Sequence, residues 1–250
     1  MDTMKDKVVI VTGGGGGIGL AAACGFAAAG AKVLITGRRQ AALEKVAASN
    51  ANIKAFVADA GAPADARRTV ARALELWGRL DVLVNNAGAG APMALAEATV
   101  ERIRDIYAVN VLGPTLLAAA AVPHLEVTGG SIINLSSTLA QKPMAGFADY
   151  AASKAALEQL TRCWALELAP RGIRVNAIAS GPVEAAFLRE RMGLSQEAAD
   201  AVKAQEKALI PLGRRGEPGD VASWIIALAA PSAAWITGQV LGVDGGFVLV

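Results

Sequence analysis

The chain has 250 residues, of which 54% are hydrophobic and 18% charged. Such a composition excludes an intrinsically disordered chain, which would carry little apolar content and more net charge. Lys and Arg total 24 against 22 Asp and Glu, so there is no basic excess to point to nucleic acid or an anionic membrane as partner.

The first strand is expected over residues 8–12, a run rich in β-branched side chains, and an Ala-rich helix over 18–29. A strand over 32–36 and a short helix over 41–48 follow, then a strand over 53–58 and a helix over 63–77. The alternation continues with a strand over 82–85, a helix over 99–123, a strand over 132–135 and a helix over 147–169. A sixth strand is expected over 174–179, a polar helical segment over 183–207, a helix over 218–229 and a last strand over 240–243. The strands are short, continuous and apolar, as strands buried on both faces of a parallel sheet must be. Helix alternating with strand implies right-handed βαβ units. The expected fold is therefore α/β: one doubly wound parallel sheet of about seven strands with helices on both faces. No linker or repeat divides the chain, so residues 1–250 read as a single domain. Its most polar stretch, within 183–210, is a candidate lid.

Several classes are set aside. No apolar run near the N-terminus has the length expected of a signal peptide. The uncharged stretch 221–243 is broken by Pro231-Ser232 and Gly238-Gln239, so it reads as helix, turn and strand rather than a membrane span. Cys24 and Cys163 make no disulfide framework, and a reducing, cytoplasmic setting is expected. These two and His124 have no ligand spacing, so no metal is expected.

Between the first strand and the first helix lies Thr12-Gly13-Gly14-Gly15-Gly16-Gly17-Ile18-Gly19. Glycines there allow a sharp turn and a close backbone approach to a pyrophosphate, which the helix N-terminus attracts. Leu20-Ala21 stands where a nucleoside triphosphate loop needs Lys-Ser or Lys-Thr. A dinucleotide is the expected ligand. At the end of the second strand, Thr36-Gly37-Arg38-Arg39 offers no acid for a ribose 2′-hydroxyl. Arginine there suits a 2′-phosphate, so NADP(H) is favoured over NAD(H).

Tyr150 and Lys154 are four residues apart, which places both on one helix face. A Lys ammonium near a phenol lowers its pKa and fits it to move a proton. Taken alone, the pair also suits an exposed surface contact. Two facts favour chemistry. The chain holds 2 tyrosines in all. Ser136-Ser137 ends the fifth strand, where ligands of open α/β sheets bind.

Together these pieces resemble the short-chain dehydrogenases/reductases, in their simple branch of about 250 residues with a Rossmann-like sheet. The resemblance spans the whole chain and also rests on Asp59, Asn85-Asn86-Ala87-Gly88, Asn110, Ile236-Thr237-Gly238-Gln239 and Val243-Asp244-Gly245-Gly246. It implies Tyr150 as proton donor in reduction and base in oxidation. Lys154 would lower the Tyr150 pKa and hold the nicotinamide ribose, Ser137 would bind the substrate oxygen, and Asn110 would break the fourth helix and hold a relay water.

The cofactor site it implies comprises Thr12, Gly13, Gly15, Gly16, Gly17, Ile18, Gly19, Gly37, Arg38, Arg39, Asp59, Ala60, Asn86, Ala87, Gly88, Val109, Tyr150, Lys154, Gly181 and Val183. The substrate wall would include Ser137, Leu139, Met144, Phe147, Tyr150 and Phe187, a mostly apolar set that suits a ketone or secondary alcohol. Arg189 and Arg191 could meet an acidic carrier at the rim. A homotetramer is implied too. Two departures stand out: Ala185 occupies the place where a Thr commonly bonds the cofactor carboxamide, and Gly16 stands where NADP-dependent members often carry a basic residue. Two other readings remain: a 3-oxoacyl-thioester reductase of the same family, and a non-catalytic dinucleotide sensor. An enoyl reductase would space its Tyr and Lys more widely.

Overall fold

The computed structural model describes residues 4–185, 188 and 193–250. Its seven strands are β1 (Val8–Thr12), β2 (Lys32–Gly37), β3 (Ile53–Val57), β4 (Val82–Asn85), β5 (Ser131–Ser137), β6 (Arg174–Ser180) and β7 (Val240–Val243). They form one sheet in the order β3-β2-β1-β4-β5-β6-β7, and every adjacent pair is parallel. The order reverses between β1 and β4, so a crevice opens at their carboxyl ends.

Both faces of the sheet are buried, and the two-residue strand period distributes side chains between them. Val9 and Val11 of β1 join one layer with Phe26, Leu43 and Ile225. Val8 and Ile10 join the other with Val70, Leu125 and Leu168. The first layer is covered by α1 (Gly17–Ala28), α2 (Gln40–Ala48) and α8 (Pro218–Ala229); the second by α3 (Pro63–Trp77), α5 (Gly113–Thr128) and α6 (Ala148–Leu168). Among the described residues, α4 (Val100–Tyr107) and α7 (Gln196–Leu209) also lie outside these layers.

Three boundaries differ from expectation for identifiable reasons. The helix expected over 99–123 is divided: α4 passes into a π-helical turn, Ala108–Leu112, before α5 begins. Asn110 lies in that turn, fully buried, and its side chain is committed to tertiary hydrogen bonds. Such a wide turn re-aims a side chain without ending the helix. At the start of α5, a Cβ on Gly113 would lie 2.0 Å from the Ala60 carbonyl, so only glycine lets the helix reach the loop after β3. Nor does α5 stop at Pro123. It ends at Gly129, which takes the left-handed conformation at φ 60°.

The segment expected to be helical over 183–207 holds α7, capped by Ser195, whose hydroxyl accepts from the Ala198 N–H at 3.1 Å. Val183 instead pairs with Gly216 in an isolated parallel bridge. The helical run 100–128 is long and apolar enough to cross a membrane; here α5 packs on α3 in the second layer.

Candidate active site

The carboxyl ends of the strands open into a cleft of about 1040 Å³. This is at the upper end of ligand-site volumes and matches a large ligand with a substrate beside it. On one side lies the glycine loop. Gly13, Gly15, Gly16, Gly17, Ile18 and Gly19 all line the cleft. A Cβ on Gly19 would lie 2.4 Å from both Asn86 Nδ2 and the Gly13 carbonyl, so this glycine is required by packing. On Gly16 a Cβ would meet nothing within 4 Å, so its bare backbone is presented to the cleft. Gly16 is also the N-cap of α1, with no side chain to occupy the first-turn N–H groups, and no acidic residue stands in that turn. This uncapped N-terminus and open cradle fit a pyrophosphate.

The loop is braced from β4. Asn86 Nδ2 donates to the Thr12 carbonyl at 2.7 Å. The Thr12 hydroxyl accepts from the N–H groups of Asn86 (3.0 Å) and Ala87 (2.9 Å) and donates to the Val84 carbonyl. Thr12 is thus buried and spent on bracing, away from the cleft wall. Gly37, Arg38, Arg39, Asn86, Ala87 and Gly88 line the cleft, with both arginines exposed at its mouth. Asp59, Ala60 and Val109 do not line it. They surround a small adjoining pocket that shares Ala87 with the cleft. One Asp59 carboxylate oxygen accepts from the Gly61 N–H at 2.9 Å, so part of that side chain is occupied by its own turn.

On the other side, β5 delivers Ser137 and α6 delivers Tyr150 and Lys154; all three line the cleft. Ser137 extends β5 two residues beyond the expected strand, and its hydroxyl accepts from the Leu139 N–H at 3.2 Å. Tyr150 hydrogen-bonds to Ser137, and its ring lies so close to Gly90 that a Cβ there would be 2.8 Å away. Lys154 Nζ donates to the Leu135 carbonyl at 2.7 Å and lies 5.9 Å from the Tyr150 ring centroid. Asn110 Oδ1 accepts from the Ala89 N–H at 2.8 Å, while its Nδ2 donates to the Ala89 carbonyl and to Ser153. That side chain holds the loop after β4 in place and does not line the cleft; Gly88 lies between it and Lys154.

The electrostatics depart from the sequence reading at Tyr150. Burial pushes its pKa up, and the Ser137 hydrogen bond opposes this. Lys154 is itself buried, which lowers its pKa from 10.5 to about 8. Its ammonium is turned to the Leu135 carbonyl rather than to the phenol oxygen, so the expected depression at Tyr150 is absent from the chain by itself. Beneath the pair, Ser136 donates to the buried Glu158 at 2.8 Å, one helical turn beyond Lys154.

Leu139, Met144 and Phe147 line the substrate side with Gly181 and Val183. Phe187, Arg189 and Arg191 lie outside the described residues. Sequence reasoning missed Gln205, Glu206, Arg215 and Phe247, which also line the cleft. Glu206 had a signal, since it falls in the polar segment already singled out. Arg215 and Phe247 had none.

A family model described as Enoyl-(Acyl carrier protein) reductase matches residues 14–248. An uncharacterized oxidoreductase of Mycobacterium tuberculosis is 39% identical, over 98% of this chain and 94% of its own. The 3-oxoacyl-(acyl-carrier-protein) reductase of Thermotoga maritima is 36% identical, over 98% and 99%. Among solved structures, the 3-ketoacyl-(acyl-carrier-protein) reductase of Brucella melitensis complexed with NADH matches with a TM-score of 0.90 at 35% identity, over 98% of this chain and 100% of that one. The chain is an oxidoreductase of the short-chain dehydrogenase/reductase family.

Proposed function

We propose that the protein transfers a hydride between NADP(H) and a ketone or secondary alcohol, with Tyr150 as general acid and base. The observation that carries this reading is the convergence of Ser137, Tyr150 and Lys154 on one cleft with an open glycine cradle. The cofactor, when bound, supplies the hydride. Ser137 and the Tyr150 hydroxyl, already hydrogen-bonded to each other, both reach a substrate oxygen, and Tyr150 delivers or removes its proton. Lys154 brings a cation when it turns from Leu135 toward the ribose and phenol. Asn110 acts through the loop it holds. Gly181 and Val183 frame the nicotinamide end, while Asp59, Ala60 and Val109 flank the adenine end.

Arg38 and Arg39 at the mouth, with no acid at the end of β2, favour the 2′-phosphate. The apolar wall of Leu139, Met144 and Phe147 favours an uncharged substrate, and α7, which lines the cleft through Val202, Gln205, Glu206 and Leu209, serves as its lid. A 3-oxoacyl thioester is the second reading, supported by the names of the Thermotoga and Brucella relatives. The chain reads further as one domain, acting in the cytoplasm as a homotetramer.

Oxidation of NADPH and of NADH is to be followed against ketones, 3-oxo esters and 3-oxoacyl thioesters, with Tyr150→Phe alongside. Turnover that disappears in the variant supports the proposal and names the substrate class. Undiminished turnover in Tyr150→Phe removes the proton-transfer role. Dinucleotide binding without turnover of any substrate favours a sensor.

A further inference from the structure

Arg215 is 6% exposed, yet it lines the cleft beside Val183 and Glu206. Its Nη2 donates to the Val183 carbonyl at 2.7 Å. Its Nε lies 3.0 Å from Glu184 Oε1, and its Nη1 is paired with Glu206 Oε2. Lys203, three residues before Glu206 on α7, reaches Glu184 Oε2 at 2.7 Å. The backbone runs with the side chain. The Glu184 N–H donates to the Gly216 carbonyl at 2.7 Å, and the Gly216 N–H donates to the Pro182 carbonyl at 2.9 Å. Three segments distant in sequence, 182–184, 203–206 and 215–216, therefore meet on one guanidinium.

A buried ion cluster is a poor source of stability. Desolvation offsets much of the attraction, and apolar residues of similar volume often serve the fold as well. What the guanidinium adds is geometry, because its Nε, Nη1 and Nη2 are spread over one rigid plane, whereas the three donors of a lysine share a single rotatable nitrogen. The Val183 carbonyl accepts from Arg215, so the 183–184 peptide has one orientation. Ala185 follows, close enough that its Cβ would be 3.5 Å from one on Gly17. It carries no hydroxyl to hold a ligand.

We infer that Arg215 is a positioning residue that locks the Val183 loop and α7 into one unit, so that the Val183 N–H is held toward the nicotinamide end of the dinucleotide where Ala185 offers no side-chain anchor. This inference rests on the dinucleotide reading above. Its specific consequence is that the cluster acts on the nicotinamide half of the ligand and not on the adenosine half.

The test compares NADPH with its nicotinamide-free fragment, 2′,5′-ADP, by fluorescence titration of the unaltered protein, Arg215→Met, Arg215→Lys and Glu206→Gln. Arg215→Met and Arg215→Lys should each weaken NADPH about tenfold and leave the fragment within about twofold; Glu206→Gln should weaken NADPH about threefold with the same selectivity. Thermal melting checks the fold. Should Arg215→Met not fold, Glu206→Gln decides by the same split, since it leaves Arg215 its other partners. NADPH affinity unchanged in the folded variants, or both ligands weakened by one factor, overturns the inference. If the unaltered protein binds neither ligand, the 2′-phosphate reading falls and the same split is read with NADH against 5′-ADP; if NADH does not bind either, the dinucleotide reading itself falls and takes this inference with it.

Discussion

Lys154→Met tests the electrostatics of the site through stability rather than turnover. Lys154 is 4% exposed, and burial lowers its pKa from 10.5 to about 8. The folded chain therefore holds its proton more weakly than the unfolded chain does. Between those two values the unfolded state binds more protons, so stability rises with pH through that window. Below it, the desolvated ammonium costs the folded state about 3 kcal/mol, at about 1.4 kcal/mol for each pKa unit. By pH 9.5 the cost falls to about 1 kcal/mol.

Methionine fills similar volume and carries no charge. It forfeits the hydrogen bond to the Leu135 carbonyl, a loss of about 1 kcal/mol. The variant should thus be about 2 kcal/mol more stable than the unaltered protein at pH 7, a rise in Tm of roughly 4–8 °C for a chain of this length. The advantage should nearly vanish at pH 9.5, while turnover is lost throughout. Urea unfolding of both proteins across this range gives the difference directly, because titrations common to both cancel. A stability difference independent of pH, or a variant less stable at pH 7, would refute the desolvation account.

Tyr150→Phe should cost at least about 10²-fold in turnover and leave dinucleotide binding intact; it removes one buried hydroxyl, so Tm should fall by only a few degrees, for a loss of about 1 kcal/mol. Arg38→Leu should raise the KM for NADPH well above that for NADH; an equal rise for both would show that Arg38 does not read a 2′-phosphate. Gly19→Ala places a Cβ 2.4 Å from Asn86 Nδ2 and the Gly13 carbonyl, and should melt several degrees lower in calorimetry. Gly16→Ala meets no neighbour within 4 Å and should keep its Tm while losing dinucleotide affinity, so the two glycines separate packing from ligand approach.

What the sequence determined by itself follows from local periodicity and local turn chemistry. Strands buried on both faces must read as short apolar runs, so β1, β4 and β7 fall where expected, as do α3 and α8. Five consecutive glycines after a strand end the apolar run and permit the sharp turn that opens a helix. The interval between Tyr150 and Lys154 requires only a helix to become a shared face.

What only the tertiary structure decided depends on groups far apart in the chain. The π-helical turn at Asn110 is set by Ala89 and Ser153, and the spending of Thr12 by Asn86 and Ala87. The raised pKa of Tyr150 follows from the depth at which α6 packs on β5, because burial outweighs a cation whose ammonium is hydrogen-bonded elsewhere. Arg215 reads in sequence as one more surface charge beside Arg214. Packing of α7 against the loop after β6 makes it a buried guanidinium held by Val183, Glu184 and Glu206. Such contacts carry no periodicity, since their partners are joined by the fold rather than by spacing along the chain.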